Sequence, residues 1–419
     1  MDASLSFDPT SLRSLPPHAR VTLFRYLSSR FAACTALTLL RAALSWHLYE
    51  ITGSMLLLGT LGLAQFVPTF FCTVAGGLIA DRFERTRVVR IAQWFVALTG
   101  VAVVLVTQWG SLTTPVVFAA AGWAAAWGGI EQPSRASLLV SLVPRAALPK
   151  AVTVAATLQS LAFASGPVLA GGLLALGNPW IAYLTHAALM LLSALLLRTL
   201  PPCHPPPVED RPGVFSQMVE GAQFVKQRPA IWGCMTLDMV AVIFGGATAL
   251  LPVYAKDVLD AGPAGYGILA ASLELGALAT SLLLTMRRPI VSAGRALLVT
   301  VAVFGLATMA FGASTSLPLS MAALFVVGAS DQVSVVLRHT IVQLATPDAL
   351  RGRVSAINML FVHASNQLGA FESGALAAAT SAPFSVVFGG FAAVVTAVTM
   401  AGLNRELHRY RVDHTNEAA

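Results

Sequence analysis

Long apolar runs recur along the chain, and short polar or charged breaks separate them. The runs fall at about 31–51, 55–80, 88–107, 115–134, 152–175 and 179–199, then at about 230–253, 264–285, 295–313, 318–338, 354–377 and 382–403. A helix that crosses a bilayer needs roughly 20 predominantly apolar residues, and each run meets that length within the error of such boundaries. Backbone groups in lipid must find their partners inside the same segment or a closed barrel. The pattern therefore predicts an all-α integral membrane protein of about twelve transmembrane helices. The longest break, 201–228, is rich in Pro and then amphipathic; Phe215, Met218, Val219 and Phe224 fall on one stripe of a surface helix. It divides the chain into an N-terminal six-helix half (1–200), a cytosolic linker (201–228) and a C-terminal six-helix half (229–419).

Composition agrees with this pattern: 56% of residues are hydrophobic and only 11% charged, against about a quarter charged in a soluble domain. The net charge of +7 raises the question of nucleic acid, but its placement answers it. Arg82, Arg85, Arg87 and Arg90 follow the second span, Arg145 and Lys150 the fourth, and Arg211, Lys226 and Arg228 lie in the linker. Arg287, Arg288 and Arg295 follow the eighth span, and Arg351 and Arg353 the tenth. The alternate loops at 51–54, 107–114, 176–180, 312–318 and 379–383 carry no Lys or Arg, and only Lys256 breaks the alternation. Lys and Arg mark cytosolic loops, so both termini are expected in the cytosol and nucleic acid is not an expected partner. The first twenty residues have no apolar core or small-residue cleavage site and do not read as a cleaved signal peptide. Cys34, Cys72, Cys203 and Cys234 are scattered, without the spacing of a disulfide framework or a metal site.

The two halves also echo each other. Arg135 is followed nine residues later by Pro144, then by Ala146 and Lys150; Arg338 is followed nine residues later by Pro347, then by Ala349 and Arg353. Both runs leave the fourth span of a half. Parallel six-helix repeats with a substrate site between them near the midplane are the plan of major facilitator transporters.

The sharpest local motif is Gly-Gly-Leu-Ile-Ala-Asp-Arg-Phe-Glu-Arg-Thr-Arg at 76–87. It resembles the major facilitator signature between spans 2 and 3, Gly-x-x-x-Asp-Arg-x-Gly-Arg-[Arg/Lys], with Glu84 standing where that signature has Gly. The resemblance implies that Gly77 allows a close helix contact, that Asp81 pairs across a cytosolic gate, and that Arg82, Arg85 and Arg87 anchor the loop. Span 5 carries Ser-Gly-Pro-Val-Leu-Ala-Gly-Gly at 165–172, similar to an exporter element of the superfamily, with Ala170 in place of its first paired glycine. Gly166, Pro167 and Gly171 are the hinge this implies, a proline kink being the bland alternative. The stretches 46–54, 62–66, 251–259 and 343–353 resemble the bacterial transmembrane secretion effector branch that includes enterobactin exporters. That resemblance implies efflux driven by the proton gradient.

Ionisable residues within spans cost roughly 2.5–3.5 kcal/mol each at the membrane centre, and they therefore mark a wet pathway or an ion pair. Arg41 lies mid-span in helix 1 and Glu131 in helix 4; Asp238, Glu274, Asp331 and Glu372 lie in helices 7, 8, 10 and 11, with His363 also in helix 11. A lone Arg in one half and four carboxylates in the other suggest pairing across a cavity. Arg41, Glu131, Asp238, Glu274 and Asp331 are the candidate substrate and proton path, with Asp331 preferred for protons because Gln332 and Ser334 add polar neighbours. Desolvation disfavours the charged form of such a carboxyl. For each, a structural ion pair is the competing reading; His186 reads as a packed, hydrogen-bonded histidine.

No His-Glu-x-x-His, Gly-x-Ser-x-Gly or phosphate-binding glycine loop occurs, so neither an enzyme nor an ATP-driven pump is expected, and no cofactor or metal. The sequence reading is a proton-coupled exporter of small amphiphilic or siderophore-like molecules, multi-pass in a bacterial inner membrane and monomeric. Uptake or lysophospholipid transport on the same fold, or a membrane-embedded enzyme, are the alternatives.

Overall fold

The computed structural model describes residues 12, 15–110, 112–204, 220, 222–286, 290–347 and 350–410. The first six long helices are α1 (Pro17–Thr52), α2 (Met55–Arg82), α3 (Arg85–Gln108), α4 (Thr114–Leu142), α5 (Leu148–Leu174) and α6 (Pro179–Arg198). The second six are α7 (Pro229–Phe244), α8 (Gly262–Met286), α9 (Ala293–Ala313), α10 (Leu317–Leu344), α11 (Arg351–Ala379) and α12 (Ala382–Leu403). A short α13 (Arg405–Arg409) follows, and no strand occurs among the described residues. The fold is thus the expected all-α membrane architecture. Among the described residues, ten helical segments are long and apolar enough to cross a bilayer, α7 being counted with its continuation to Val258. The two long helices outside that set, α4 and α11, are the ones that carry Glu131, Gln132 and Arg135, and Asn358, His363, Asn366, Gln367 and Glu372.

Two elements differ from the sequence expectation. Helix α1 starts at Pro17 rather than near 31. Its extension carries Arg20, Arg25 and Arg30 and so falls below a hydropathy threshold, yet it buries Leu23, Tyr26 and Leu27 in a core with Val89, Leu138 and Leu197. Helix α7 ends at Gly245-Gly246 and continues as a 3-10 turn (Ala247–Leu250), a short helix (Leu251–Val253) and a π-turn (Tyr254–Val258). Adjacent glycines and Pro252 supply the usual causes of such a break. The stripe residues Phe215, Met218 and Val219, together with Arg211, Arg287 and Arg288, lie outside the described residues. Of the linker, Phe224 packs against the core formed by Ile231, Leu237, Leu297 and Ile341, and Glu220 pairs with Arg353 at 2.6 Å.

The chain groups into two compact units, Met1–His47 with Ala64–Glu209, and Leu48–Leu63 with Asp210–Ala419. In lipid, helices gain nothing by hiding apolar surface from each other, so association rests on close packing through small residues. In the first unit, α3 meets α6 at Gly100, where a Cβ would come within 2.9 Å of the Tyr183 carbonyl oxygen. In the second, Gly305 of α9 and Gly390 of α12 face each other, a Cβ on either lying 2.5 Å from the other's carbonyl oxygen. The start of α2 packs on α11 in the same way, since a Cβ on Gly59 would lie 2.7 Å from the Ala370 oxygen and one on Gly374 2.9 Å from Gly59 Cα. Beside this seam, the Tyr49 hydroxyl donates to the Asp257 carboxylate, and Lys256 Nζ lies 5.6 Å from the centre of the Tyr49 ring.

The close contact expected of Gly77 belongs instead to its neighbour. A Cβ on Gly76 would lie 2.7 Å from Ile130 Cα on α4, whereas one on Gly77 would meet nothing within 4 Å among the described residues. The 100° step between successive helix residues turns Gly77 away from α4. Gly166 is likewise a contact residue, because a Cβ there would run into Thr38 and come 2.8 Å from the Leu39 amide nitrogen of α1. Gly166→Val is therefore expected to lower the stability of the detergent-solubilised protein by an overpacking cost of about 1–3 kcal/mol, with Gly77→Val close to neutral. Equal thermal midpoints for the two variants would remove this packing assignment.

Candidate functional site

Buried charge in this protein is concentrated on α4, α7 and α10. In the first unit, Glu131 and Arg135 stand one turn apart on α4, the spacing at which helical side chains meet. They form an ion pair, with Arg135 Nε also donating to Glu131 Oε1 at 2.5 Å. Gln93 Nε2 of α3 donates to the same oxygen at 3.1 Å, and the Tyr26 hydroxyl of α1 donates to the Arg135 carbonyl at 2.9 Å. Glu131 is 4% exposed and Arg135 9%, and Arg135 Nη1 is buried without a hydrogen-bond partner. Arg30 of α1 donates to Gln159 of α5.

In the second unit, Asp238 of α7 pairs with Arg338 of α10, and these residues are 5% and 2% exposed. The sequence suggested that Asp238 would look across to the N-terminal half; its cation is instead within its own unit. Arg338 was visible only as the start of a repeat, and the equivalence of Arg135 and Arg338 was the signal that it is a buried partner. Asp331 lies seven residues before Arg338 on α10, which returns it to the same helix face. It lines a cavity of about 10 Å³ with Asp238, Ser334, Val301, Phe304, Ala241 and Val242. No ion pair to Asp331 occurs among the described residues.

The structure does not gather the other candidates at either cluster. Arg41 is exposed at the middle of α1, and Glu274 is half-buried on α8. Asp81, Arg82 and Arg87 are exposed. The loop they flank is braced from below: the Arg85 amide donates to the Cys203 carbonyl at 2.9 Å, and the Thr86 hydroxyl to the Pro201 carbonyl at 3.4 Å. Pro167 sits inside an unbroken α5, and Gly171 is buried. His186 is fully buried and ties three helices, its Nδ1 lying 2.8 Å from the Ala36 carbonyl and its Nε2 3.2 Å from that of Val96. This is the packed histidine the sequence suggests. No cluster of metal-ligating side chains occurs among the described residues.

The profile of the transmembrane secretion effector family matches residues 15–417, and the chain belongs to that family. It is 25% identical over 383 residues to the enterobactin exporter EntS of Citrobacter koseri, covering 91% of this chain and 92% of that one. To the enterobactin exporter EntS of Shigella boydii it is 26% identical over 385 residues, with the same coverage. Among solved structures, a D-xylose–proton symporter superposes with a TM-score of 0.70 at 14% identity, covering 93% of this chain and all of that one. A bacterial homologue of the lysosomal transporter Spinster gives 0.73 at 14% identity, with 94% and 99% coverage. The fold is that of the major facilitator transporters, and the protein is a multi-pass secondary transporter rather than an enzyme.

A desolvated ion pair whose partner is removed leaves an uncompensated charge, at a cost of about 3–5 kcal/mol, whereas replacing both members is often near neutral. Arg338→Met and Asp238→Leu are each expected to depress thermal stability in detergent by about that amount, and the double variant to recover most of it. Additive losses in this cycle, measured by unfolding of purified protein, would show that the two side chains do not depend on each other.

Proposed function

We propose that the chain is a proton-driven exporter of small amphiphilic, siderophore-like molecules, acting as a monomer in the cytoplasmic membrane of a bacterium with both termini in the cytosol. The observation that carries export is the similarity to enterobactin exporters along nine-tenths of both chains. Orientation rests on the alternation of Lys- and Arg-bearing loops. The working parts are the six-helix halves 1–200 and 229–419, joined by 201–228, which rock about a central path. A proton and a substrate drive such a cycle when each has a different affinity for the two states.

Asp331 takes the proton, because it lies within the membrane-spanning part of α10 without an ion partner, while Asp238 is committed to Arg338. Glu131 is committed to Arg135 and acts as structure. Arg41 and Glu274 belong to the substrate path, and Asp81 with Arg82, Arg85 and Arg87 to the cytosolic gate, with Gly166, Pro167 and Gly171 setting how α5 bends against α1.

The test is accumulation of catecholate siderophores, amphiphilic drugs and lysolipids in a deletion strain carrying the gene, with and without a protonophore. Wild-type protein is expected to lower accumulation of a siderophore-like compound, and the protonophore to abolish the effect. Asp331→Asn should lose gradient-driven export while retaining substrate exchange, and Asp81→Asn should insert normally but transport poorly. Full pH-driven export by Asp331→Asn in proteoliposomes would move the coupling to another carboxyl.

A further inference from the structure

The cavity beside the Asp238–Arg338 pair contains more polar chemistry than the ion pair uses. Ser334 lies three residues after Asp331 and four before Arg338, so all three share one face of α10. Ser334 is 5% exposed and lines the cavity, and its Oγ has no hydrogen-bond partner. Arg338 Nε is also buried without a partner. Buried polar atoms left unpaired in this way are rare, and ordered water is the usual answer. A water needs about 10–15 Å³ and two to four polar partners. The cavity offers about 10 Å³, and Ser334, Asp331 and Asp238 are its polar lining residues.

We propose that this cavity is a one-water site, in which Ser334 positions a water against the Asp331 carboxyl and that water is the group with which Asp331 exchanges its proton. When Asp331 releases its proton, the carboxyl O–H bond breaks and a bond to the water oxygen forms, giving a carboxylate and a hydronium; uptake is the reverse. Asp238 stays ion-paired throughout and supplies a fixed acceptor on the far side of the water. The lining comes from three helices. From α7 it receives Asp238, with Cys234 one turn away; from α10, Asp331 and Ser334, with Arg338 next to them; from α9, only Val301 and Phe304. Glu274 of α8, and His363, Glu372, Arg351 and Arg353 of α11, are not on the lining. Ser334 is a positioning residue in this scheme. The proposal rests on the reading of Asp331 as the proton carrier, and its test is independent of transport.

That test is infrared difference spectroscopy of the full chain in liposomes, recorded between acidic and alkaline pH. Wild-type protein is expected to show the carbonyl band of a buried carboxylic acid at acidic pH, and Asp331→Asn to lose it. Ser334→Val fills the space of the water and removes the hydroxyl, so the band should persist but move to higher frequency as its carbonyl loses a hydrogen bond. Ser334→Thr keeps the hydroxyl and should return the band to the wild-type frequency, which separates the water site from a general disturbance of packing. A band that is missing in wild type, survives Asp331→Asn, or stays unmoved in Ser334→Val overturns the proposal. If the spectral pattern holds while export is indifferent to protonophore, the coupling reading fails and the water site stands.

Discussion

Everything in this fold answers to one constraint, that a charge taken into the bilayer must be met by an opposite charge or a hydrogen bond supplied by the protein. The cost of an unanswered Arg or Asp at mid-membrane, roughly 2.5–3.5 kcal/mol or more, is comparable to the packing contribution of a whole helix contact. Four side chains carry most of this burden, Glu131 with Arg135 and Asp238 with Arg338. Each pair also fixes geometry. Gln93 can reach Glu131 only if α3 and α4 keep one register and one rotation, and the second pair fixes α7 against α10 in the same manner.

Charge sets depth and rotation, and small residues set distance. Where Gly76 faces Ile130, Gly100 faces Tyr183, or Gly305 faces Gly390, backbones approach to distances that any side chain would prevent. Ridges of large apolar residues such as Phe71, Leu98, Val299 and Phe391 are left exposed, as surfaces that meet lipid must be. The usual division of a protein into apolar core and polar surface is thus inverted in part. Glycines in the interior let helices approach closely, and large apolar side chains outside meet the lipid.

Most of the architecture was legible in the sequence because lipid imposes a single rule on length and polarity. The long helices among the described residues overlap the predicted apolar runs, apart from the early start of α1 and the break in α7, and the resemblance to the family lay in stretches such as 343–353. What was illegible depends on rotation about a helix axis. Gly77 is the glycine that the motif singles out, but its neighbour Gly76 is the one that faces α4. Arg41 stood out as a lone mid-span cation, whereas Arg135 and Arg338 were read as the start of a cytosolic boundary because each precedes a Pro by nine residues. They are the partners of the two deepest carboxylates. The i,i+4 spacing of Glu131 and Arg135 carried that information. Nothing in the linear order ties Asp238 to a residue one hundred positions away.

The repeat explains why the two clusters differ in character. Matching Arg135 to Arg338 places Ser334 where the first half has Glu131, and Asp331 where it has Gly128. In the first half the arginine is answered four residues away on its own helix, with Gln93 of α3 on the same carboxylate. In the second, the answering carboxylate has been transferred to α7, and the vacated position holds a hydroxyl too short to reach the guanidinium. The space beside it is bounded by Asp331, whereas the matching position of the first half is Gly128, which has no side chain. One half therefore carries an ion pair within a single helix, and the other an ion pair that spans two helices beside an additional carboxyl. A transporter coupled to protons needs one group whose charge changes and others whose charges stay fixed while it does. On the proposed reading, the first unit keeps its ion pair within one helix, and the second sets Asp331 against the pair that joins α7 to α10.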